Sequence, residues 1–257
     1  MVVLALGDVV GEIGLQACEK HLWALRRETG AHLVVVNGEN ADGVGIRPKQ
    51  AARLFAAGAD VVTLGNHACR RRDIVTTLQD NVCLLRPDNM PAPVPGGGVC
   101  TLEMETGQNV AVINLLGRYQ MDFRSHDPFT RMDTILNNLR TDFVLVDFHA
   151  EATSEKLALG HYLDGRVSAV WGTHTHVQTA DEQILPNATG YITDLGMCGA
   201  RGTVLGIAPA QSIAYFLGEP MPRHEEVSGP GWLEGAYFVL DDNTGRCVDV
   251  RRVSYGG

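Results

Sequence analysis

The sequence has few basic residues, no closely spaced cysteines and no long apolar run. Its 257 residues include 21 Lys and Arg against 30 Asp and Glu, which gives a formal net charge of −9. Affinity for duplex nucleic acid depends on clustered Lys and Arg, so this balance argues against a duplex-binding surface. No segment reaches the roughly 18–20 apolar residues that a membrane-spanning helix requires. We therefore expect neither duplex nucleic acid nor a membrane as a partner.

The six cysteines are scattered along the chain, and no two of them form a C-x-x-C motif. Most lie in apolar surroundings, which predicts reduced and mostly buried thiols in a reducing compartment. Residues 1–6 lack a basic leader, and we interpret them as a first strand instead of a signal peptide. Together these features predict a cytoplasmic protein.

The length and the 45% hydrophobic content are sufficient for one substantial core. We therefore predict a single domain over residues 1–257. Residues around 198–230 are rich in Gly and Pro, and we interpret them as an excursion from this domain.

Short apolar runs alternate with helical patterns in the first half of the chain. Val2–Leu6 is strand-like, whereas Leu15, Cys18, Leu22 and Leu25 recur at the three- and four-residue steps of one helical face. Such alternation predicts an α/β fold with a largely parallel sheet. The strand-rich last third of the chain indicates a second or mixed sheet.

Side chains that can bind metal follow five of the predicted strands. They are Asp8, Glu39 with Asn40, Asn66 with His67, His149, and His174 with His176. Ligands of open α/β sheets bind beyond the carboxyl ends of the strands, so we expect these side chains to converge on one edge. A single such residue could instead cap a helix or shape a turn, but five strand ends together favour a common site.

The motif His174-Thr175-His176 is the sharpest of these signals. In an extended segment, residues two apart point the same way, so both imidazoles are expected to face one site. Carboxylate, amide and imidazole ligands without a thiolate suit iron, manganese or zinc. The set exceeds what one four-coordinate ion needs, which favours two ions that share a bridging carboxylate.

A pair of ions predicts a class of reaction. Two ions roughly 3.5–4 Å apart can hold the attacking and leaving oxygens of a phosphoryl displacement, and they make hydroxide available near neutral pH. His67 follows the candidate ligand Asn66 and is predicted to protonate the leaving oxygen. The alternative role for His67 is that of a supporting or structural histidine.

Several motifs together resemble the calcineurin-like metallophosphoesterase superfamily, and most closely its bacterial YmdB-like branch. The resemblance covers nearly the whole chain, and the motifs that carry it are Gly7-Asp-Val-Val-Gly11, Asn37-Gly-Glu-Asn-Ala41, Gly65-Asn66-His67, Asp147-Phe-His-Ala-Glu-Ala-Thr-Ser-Glu-Lys156 and Gly172-Thr-His-Thr-His-Val-Gln-Thr-Ala-Asp181. It implies an αββα sandwich of two mixed sheets flanked by helices, and hydrolysis of phosphate esters. For the branch it implies activity on 2′,3′-cyclic nucleotides.

The resemblance also implies a dinuclear centre with iron as the first choice of metal and manganese or zinc as alternatives. Its implied ligands are Asp8, Glu39, Asn40 and His176 for one ion, and Glu39, Asn66, His149 and His174 for the other. Glu39 bridges the two ions in this assignment, and His67 is the catalytic acid.

The sequence departs from the wider superfamily at two positions. The usual Asp-x-His opening is Asp8-Val9-Val10 here, and the branch resemblance implies that Asn40 replaces the missing histidine. The Gly-Asn-His motif is usually followed by an acidic residue, whereas Ala68 follows His67 in this chain. Ala68 cannot orient the imidazole of His67 through a hydrogen bond.

Other residues have alternative interpretations. Arg118 or Arg124 could bind a substrate phosphate or could form an ordinary surface ion pair. Phe123 or Phe129 could stack on a nucleobase or could serve packing alone. Asp194 follows a predicted strand near the histidine pair, and we expect it to support His174 or His176.

We predict a hydrolase that acts as a phosphodiesterase on small, nucleotide-like phosphate esters and forms a homo-oligomer. One alternative is a phosphomonoesterase or nucleotidase, because both reactions use the same metal chemistry. Another is a regulatory metal-binding protein with little turnover.

Overall fold

Two mixed β-sheets lie face to face between layers of helices. The computed structural model describes residues 1–91, 93–220 and 227–257. The strands are β1 (Val2–Val9), β2 (Leu33–Asn37), β3 (Val61–Thr63), β4 (Leu84–Leu85), β5 (Val99–Glu103), β6 (Asn109–Leu116), β7 (Phe143–His149), β8 (Ala169–Thr173), β9 (Gln183–Ile184), β10 (Gly190–Ile192), β11 (Met197–Ala200), β12 (Gly231–Leu240) and β13 (Cys247–Gly256). The helices are α1 (Gly11–Thr29), α2 (Pro48–Ala57), α3 (Ile74–Asp80), α4 (Pro128–Asn138), α5 (Thr153–Leu163) and α6 (Pro209–Leu217).

The first sheet has the strand order β13-β12-β11-β1-β2-β3-β4. Strands β1 to β4 are parallel, as the alternation of strands and helices predicted. β1 lies at the centre, because it also pairs with β11 in parallel and with β12 in antiparallel orientation. β12 and β13 form an antiparallel hairpin. The last third of the chain therefore makes the first sheet mixed.

The second sheet has the order β5-β6-β7-β8-β10-β9 and comes from the middle of the chain. Its inner strands β6, β7, β8 and β10 are parallel, and β5 and β9 add antiparallel edges. Two mixed sheets flanked by helices confirm the predicted αββα sandwich. Of the two alternatives predicted for the last third, a second or a mixed sheet, its long strands realise the mixed sheet: β12 pairs with β1, and β13 pairs with β12.

Helix α1 shows how the sequence pattern becomes structure. Leu15, Cys18, Leu22 and Leu25 are all buried, as the predicted helical face required. Gly30 ends the helix in the left-handed conformation, with φ 67°, where its backbone N–H reaches the carbonyls of the last turn. Helix α1 therefore covers the outer face of the first sheet.

Three apolar clusters fill the layers. One joins α1 and α2 to the outer face of the first sheet, and another joins α4 and α5 to the outer face of the second. The third lies between the sheets, where Val35 of β2, Leu145 of β7 and Phe238 of β12 belong to the same cluster. This central layer sets how the ends of β1–β3 meet those of β7 and β8.

The predicted excursion around 198–230 contains β11 and α6. Residues 221–226 of it lie outside the described residues. All six cysteines are free, and four of them are buried, as predicted. Within the described ranges, no helix is long and apolar enough to cross a membrane.

Candidate metal centre

The predicted site residues follow strands of both sheets. Asp8 lies near the end of β1, Glu39 and Asn66 follow β2 and β3, and His149 ends β7. His149 is paired with Thr173 at the end of β8, directly before His174. The structure therefore brings the residues together at a seam between two sheets. The expectation of one sheet edge was wrong, because the facing sheets each contribute their carboxyl ends.

The two histidines after β8 do not continue the strand. His174 has φ 103° and His176 has φ 61°, so both lie in the left-handed region that non-glycine residues rarely adopt. The expectation of an extended segment was therefore wrong, although both imidazoles still reach the site. Strained backbone of this kind persists where the surrounding structure holds it in place.

Three side chains converge around Nε2 of His149. This atom lies 3.1 Å from Oε1 of Glu39, 3.1 Å from Oδ1 of Asn66 and 3.0 Å from Nδ1 of His174. Ligand atoms of Glu39, His149 and His174 all lie within 4.8 Å of one another. Separations of about 3 Å are those of neighbouring ligands around an octahedral ion at about 2.1 Å.

A second group surrounds Oδ1 of Asp8. Nε2 of His176 lies 3.8 Å from this oxygen and 3.3 Å from Oδ1 of Asn40. Oδ1 of Asp8 and Nδ1 of His176 are buried and have no hydrogen-bond partner in the described part of the chain. A buried carboxylate oxygen without a partner is costly, and a cation satisfies it. The residues present therefore fit a metal ion.

Hydrogen bonds fix the tautomer of His149. The hydroxyl of Thr173 donates to Oδ1 of Asp147 (2.8 Å), so its oxygen can accept from Nδ1 of His149 (3.0 Å). That arrangement keeps a proton on Nδ1 and makes Nε2, which faces Glu39 and Asn66, the nitrogen that would bind a metal ion after losing its own proton. Burial raises the pKa of Asp147 to about 6. Asp147 and Thr173 were missed as site residues, although Asp147 opens one of the family motifs.

The carboxylates and histidines of the site shift one another's pKa values. Burial raises the pKa of Asp8. Burial also acts to raise the pKa of Glu39, but His149 and His67 outweigh it and hold this pKa well below its usual range. Burial acts to lower the pKa of His149, yet Glu39, Asp8 and Asp147 raise it to about 9. His174 is different, because burial and His149 lower its pKa to about 3.

His67 borders the first group of ligands. Its Nδ1 lies 3.1 Å from Oε1 of Glu39, and its backbone N–H donates to Oε2 of the same carboxylate (3.1 Å). The hydrogen bond to Glu39 raises the pKa of His67. Glu39 therefore orients the imidazole that Ala68 cannot orient.

Asp122 supports Asn66 and was missed by the sequence analysis. The amide nitrogen of Asn66 donates to Oδ1 of Asp122 (2.8 Å) and lies 3.2 Å from Nε2 of His67. Since the nitrogen is held on that side, the amide oxygen faces His149. An acidic residue from a distant loop thus orients the amide of Asn66.

Asp194 supports the histidine pair indirectly. Its Oδ2 accepts from the backbone N–H (3.1 Å) and the hydroxyl (2.8 Å) of Thr175, which lies between His174 and His176. The same oxygen accepts from the buried Nζ of Lys156 at 2.7 Å. Asp194 therefore supports the segment between the two histidines, whereas the side chain that reaches His174 belongs to Glu151, with Oε2 3.1 Å from Nε2.

The structure separates the two candidate phenylalanines. Phe123 follows Asp122 and lines a cavity of about 190 Å³ together with Asn66 and Arg70. Phe129 packs edge-on against Tyr162 with ring centroids 5.3 Å apart, which is a packing role. Arg118 and Arg124 line a neighbouring cavity of about 370 Å³. Within the described residues, neither guanidinium forms an ion pair.

Known proteins resemble this chain over its full length. The chain is 41% identical over 256 residues to the 2′,3′-cyclic-nucleotide 2′-phosphodiesterase of Bacillus subtilis (strain 168), covering 98% of this chain and 96% of that protein. A crystal structure of a novel phosphatase from Mycoplasma pneumoniae superposes with a TM-score of 0.92 at 32% identity, covering 100% of this chain and 93% of that one. A hypothetical protein from Thermus thermophilus gives a TM-score of 0.91 at 40% identity, covering 100% and 99%.

The family assignment rests on the whole chain. A family model described as YmdB-like protein matches residues 4–253. This match spans every strand end that contributes to the site, and it confirms the resemblance read from the motifs. The chain belongs to the YmdB-like protein family.

Proposed function

We propose that the chain is a metal-dependent phosphodiesterase that hydrolyses 2′,3′-cyclic nucleotides or similar small phosphate esters. The observation that carries this proposal is the convergence of Glu39, Asn66, His149 and His174 around one point, beside the buried and unpartnered carboxylate oxygen of Asp8. The substrate class is supported by the relative from Bacillus subtilis, which is named a 2′,3′-cyclic-nucleotide 2′-phosphodiesterase.

Two ions fit the two groups of ligands. Glu39, Asn66, His149 and His174 would hold one, and Asp8, Asn40 and His176 the other, with Glu39 shared between them. The nitrogen and oxygen ligands suit iron, manganese and zinc, and the family resemblance makes iron the first choice. Two such ions would neutralise phosphate charge and lower the pKa of a bound water.

His67 is proposed as the proton donor to the leaving oxygen. Glu39 engages Nδ1 of this imidazole, which leaves Nε2 as the nitrogen that exchanges a proton with the substrate. The raised pKa increases the fraction of His67 that is protonated, the form that an acid needs. The amide nitrogen of Asn66 lies 3.2 Å from Nε2 and can donate to it only while that nitrogen carries no proton, so this contact would re-form after the proton is transferred.

The cavity beside Asn66 is proposed to hold the base of a nucleotide. Phe123 offers an aromatic face for stacking, and Arg70 offers hydrogen-bond donors. Met90 and Val94 supply apolar walls, as small-ligand sites usually have. Arg118 and Arg124 would add positive charge near the phosphate in a chain that is otherwise acidic.

The proposal also covers the cellular location, the assembly and the domain organisation of the enzyme. Six free cysteines and the absence of a spanning helix among the described residues support a cytoplasmic location. We also propose that the chain functions as a homo-oligomer and as one domain over residues 1–257.

The proposal is tested by hydrolysis of a panel of phosphate esters. Asp8→Asn and Glu39→Gln should abolish metal-dependent hydrolysis of bis-p-nitrophenyl phosphate and of 2′,3′-cyclic AMP while circular dichroism stays unchanged. Glu105→Gln, at an exposed turn remote from the site, is the matched control. Wild-type protein that hydrolyses only phosphate monoesters would support a phosphomonoesterase instead. Metal binding without turnover on any ester would support a regulatory role.

A second assay tests the base cavity. Phe123→Ala should raise KM for 2′,3′-cyclic AMP by about 10-fold, because base–aromatic stacking contributes about 1–3 kcal/mol per base. It should leave KM for bis-p-nitrophenyl phosphate unchanged, since that ester carries no nucleobase. Tyr119→Ala, which removes an exposed ring from the same loop, is the control. Equal increases in KM for both substrates would contradict the proposal that this cavity holds the base.

A further inference from the structure

Helix α6 presents its apolar side chains to solvent. It buries Ser212 and Ala214, whereas Ile213 is 57% exposed, Tyr215 67% and Phe216 81%. A helix packed on a globular core normally shows the opposite distribution, with apolar residues inward. The outward side of α6 therefore has the character of a surface that another molecule covers.

The turn before α6 extends the same exposed apolar character. Val204 and Ile207 bridge each other by backbone hydrogen bonds, and Leu205 lies at the tip with φ 52°. All three side chains are at least one third exposed. The apolar face is defined here by Val204, Leu205, Ile207, Ile213, Tyr215, Phe216 and Leu217.

The segment that carries the apolar face is anchored to the body of the protein. The guanidinium of Arg201 lies 3.5 Å from the ring centroid of Trp232, which is in β12. The hydroxyl of Thr203 donates to the carbonyl of Ala200 (2.8 Å). A side chain at Gly206 would meet Cγ1 of Val10 at 2.5 Å, so this turn sits directly on the chain that follows Asp8. These contacts fix the apolar face in position against the body of the protein.

The lack of charged residues in the sequence of the apolar face favours a second copy of this chain as the partner. From Gly202 to Gly218 the sequence contains no Asp, Glu, Lys or Arg, and this is the longest such stretch of the chain. Two copies that each carry a net charge of −9 repel each other, and an uncharged contact surface adds no pairs of like charges to that repulsion. A twofold contact places the same surface of each copy against itself, so an uncharged apolar face is complementary to itself. A partner of opposite charge would instead be steered by acidic residues in the face.

The size of the apolar face is consistent with such a contact. A buried aromatic side chain covers about 150–250 Å², so the exposed parts of Tyr215 and Phe216 alone offer about 300 Å². Each partner of a standard interface contributes about 800 Å². Two rings therefore supply more than a third of that area before the five aliphatic side chains are counted.

We propose that α6 and the turn before it form a twofold contact between two copies of this chain, with Phe216 as its central anchor. The proposal rests on the self-association proposed above and is independent of the hydrolytic activity. Since Gly206 contacts Val10 two residues after Asp8, the contact would also brace the strand end that carries this carboxylate.

Sedimentation equilibrium of the full chain at micromolar concentration tests the proposal. We expect a dimer for the wild type and a monomer for Phe216→Glu, with a dissociation constant about 10³-fold higher, because the charge is introduced on both sides of the axis. Phe216→Leu keeps an apolar anchor and should remain dimeric. Val82→Glu places the same charge at a side chain that is 73% exposed elsewhere, and it should also remain dimeric.

Three outcomes would overturn the proposal. A wild-type protein that is monomeric would contradict self-association. This holds even if the protein binds lipid vesicles through α6. An oligomer that survives Phe216→Glu keeps self-association but places the contact elsewhere. If Val82→Glu also dissociates the dimer, the dissociation by Phe216→Glu is explained by added charge and not by loss of the contact at α6. Thermal melting of each variant shows that it is folded, and hydrolysis of bis-p-nitrophenyl phosphate by the wild type tests the enzymatic proposal separately.

Discussion

Gly65→Ala is the sharpest test of the ligand geometry. A Cβ at position 65 would lie 2.3 Å from Oε2 of Glu39 and 2.3 Å from Nε2 of His149. Gly65 does not have positive φ, so alanine is compatible with the backbone and its methyl group acts through contact alone. Ordinary contacts of this kind are longer by about 1 Å, so the two ligands must separate from Gly65 by roughly that distance.

The expected loss follows from that displacement. A misplacement of about 1 Å costs on the order of 100-fold in rate, and weakened support of ligands costs about 10–100-fold in metal affinity. We therefore expect Gly65→Ala to bind Mn²⁺ at least 10-fold more weakly. At saturating metal, we expect its kcat for bis-p-nitrophenyl phosphate to fall by about 100-fold. Overpacking also lowers the free energy of unfolding, by about 1–3 kcal/mol.

Isothermal titration calorimetry, steady-state kinetics and urea unfolding measure the three effects. Gly97→Ala is the matched control, because a Cβ there meets nothing closer than 3.9 Å. If Gly65→Ala binds metal and hydrolyses the ester like the wild type, the Glu39–His149 arrangement described above is not the catalytic one. Equal losses in the control would point to a general effect of added methyl groups.

Three further predictions concern the groups around the ligands. Asp122→Ala should lower kcat about 10-fold, because the amide of Asn66 loses its anchor. Lys156→Met should lower the free energy of unfolding by about 3 kcal/mol, since it leaves the buried carboxylate of Asp194 without its cation; backbone N–H groups that still donate to it limit the loss. Binding of Mn²⁺ at pH 7.5 should release about one proton, because the pKa of His149 near 9 keeps this side chain protonated until the ion displaces the proton from Nε2. The affinity for Mn²⁺ should therefore rise with pH up to about 9.

Each of these predictions has a direct counter-result. Asp122→Asn retains an acceptor oxygen and should recover part of the activity, so equal losses in both variants would contradict the anchoring role. The Lys156 variant is compared with Arg251→Met, which breaks an exposed pair, and equal stability losses would contradict the importance of burial. Calorimetry in two buffers of different ionisation enthalpy counts the protons, and a count of zero would contradict the charged state of His149.

The candidate ligands and the fold class could be predicted because their signals are local in the sequence. Each candidate ligand lies at or just after the end of a short apolar strand, and the alternation of strands and helices gives the architecture. What could not be predicted depends on contacts between distant segments. Asp122 is 56 residues from Asn66, and nothing near position 122 in the sequence distinguishes it from a surface carboxylate.

The pairing of strands was harder to predict for the same reason. The antiparallel pairing of β12 with β1 joins the two ends of the chain, and apolar periodicity does not specify a partner strand. The backbone of His174 and His176 also departed from expectation. Both have positive φ values, and the residue between them, Thr175, is held by Asp194 from another segment.

The central position of β1 has a consequence for how the protein is made. β1 is the first strand of the described chain to leave the ribosome, and β2 can pair with one of its edges early. Its other edge belongs to β11 and β12, which are synthesised nearly two hundred residues later. During that interval an apolar strand has unpaired backbone groups, a state that favours intermolecular strand addition. Translation speed and chaperone access are therefore expected to influence the yield of folded protein.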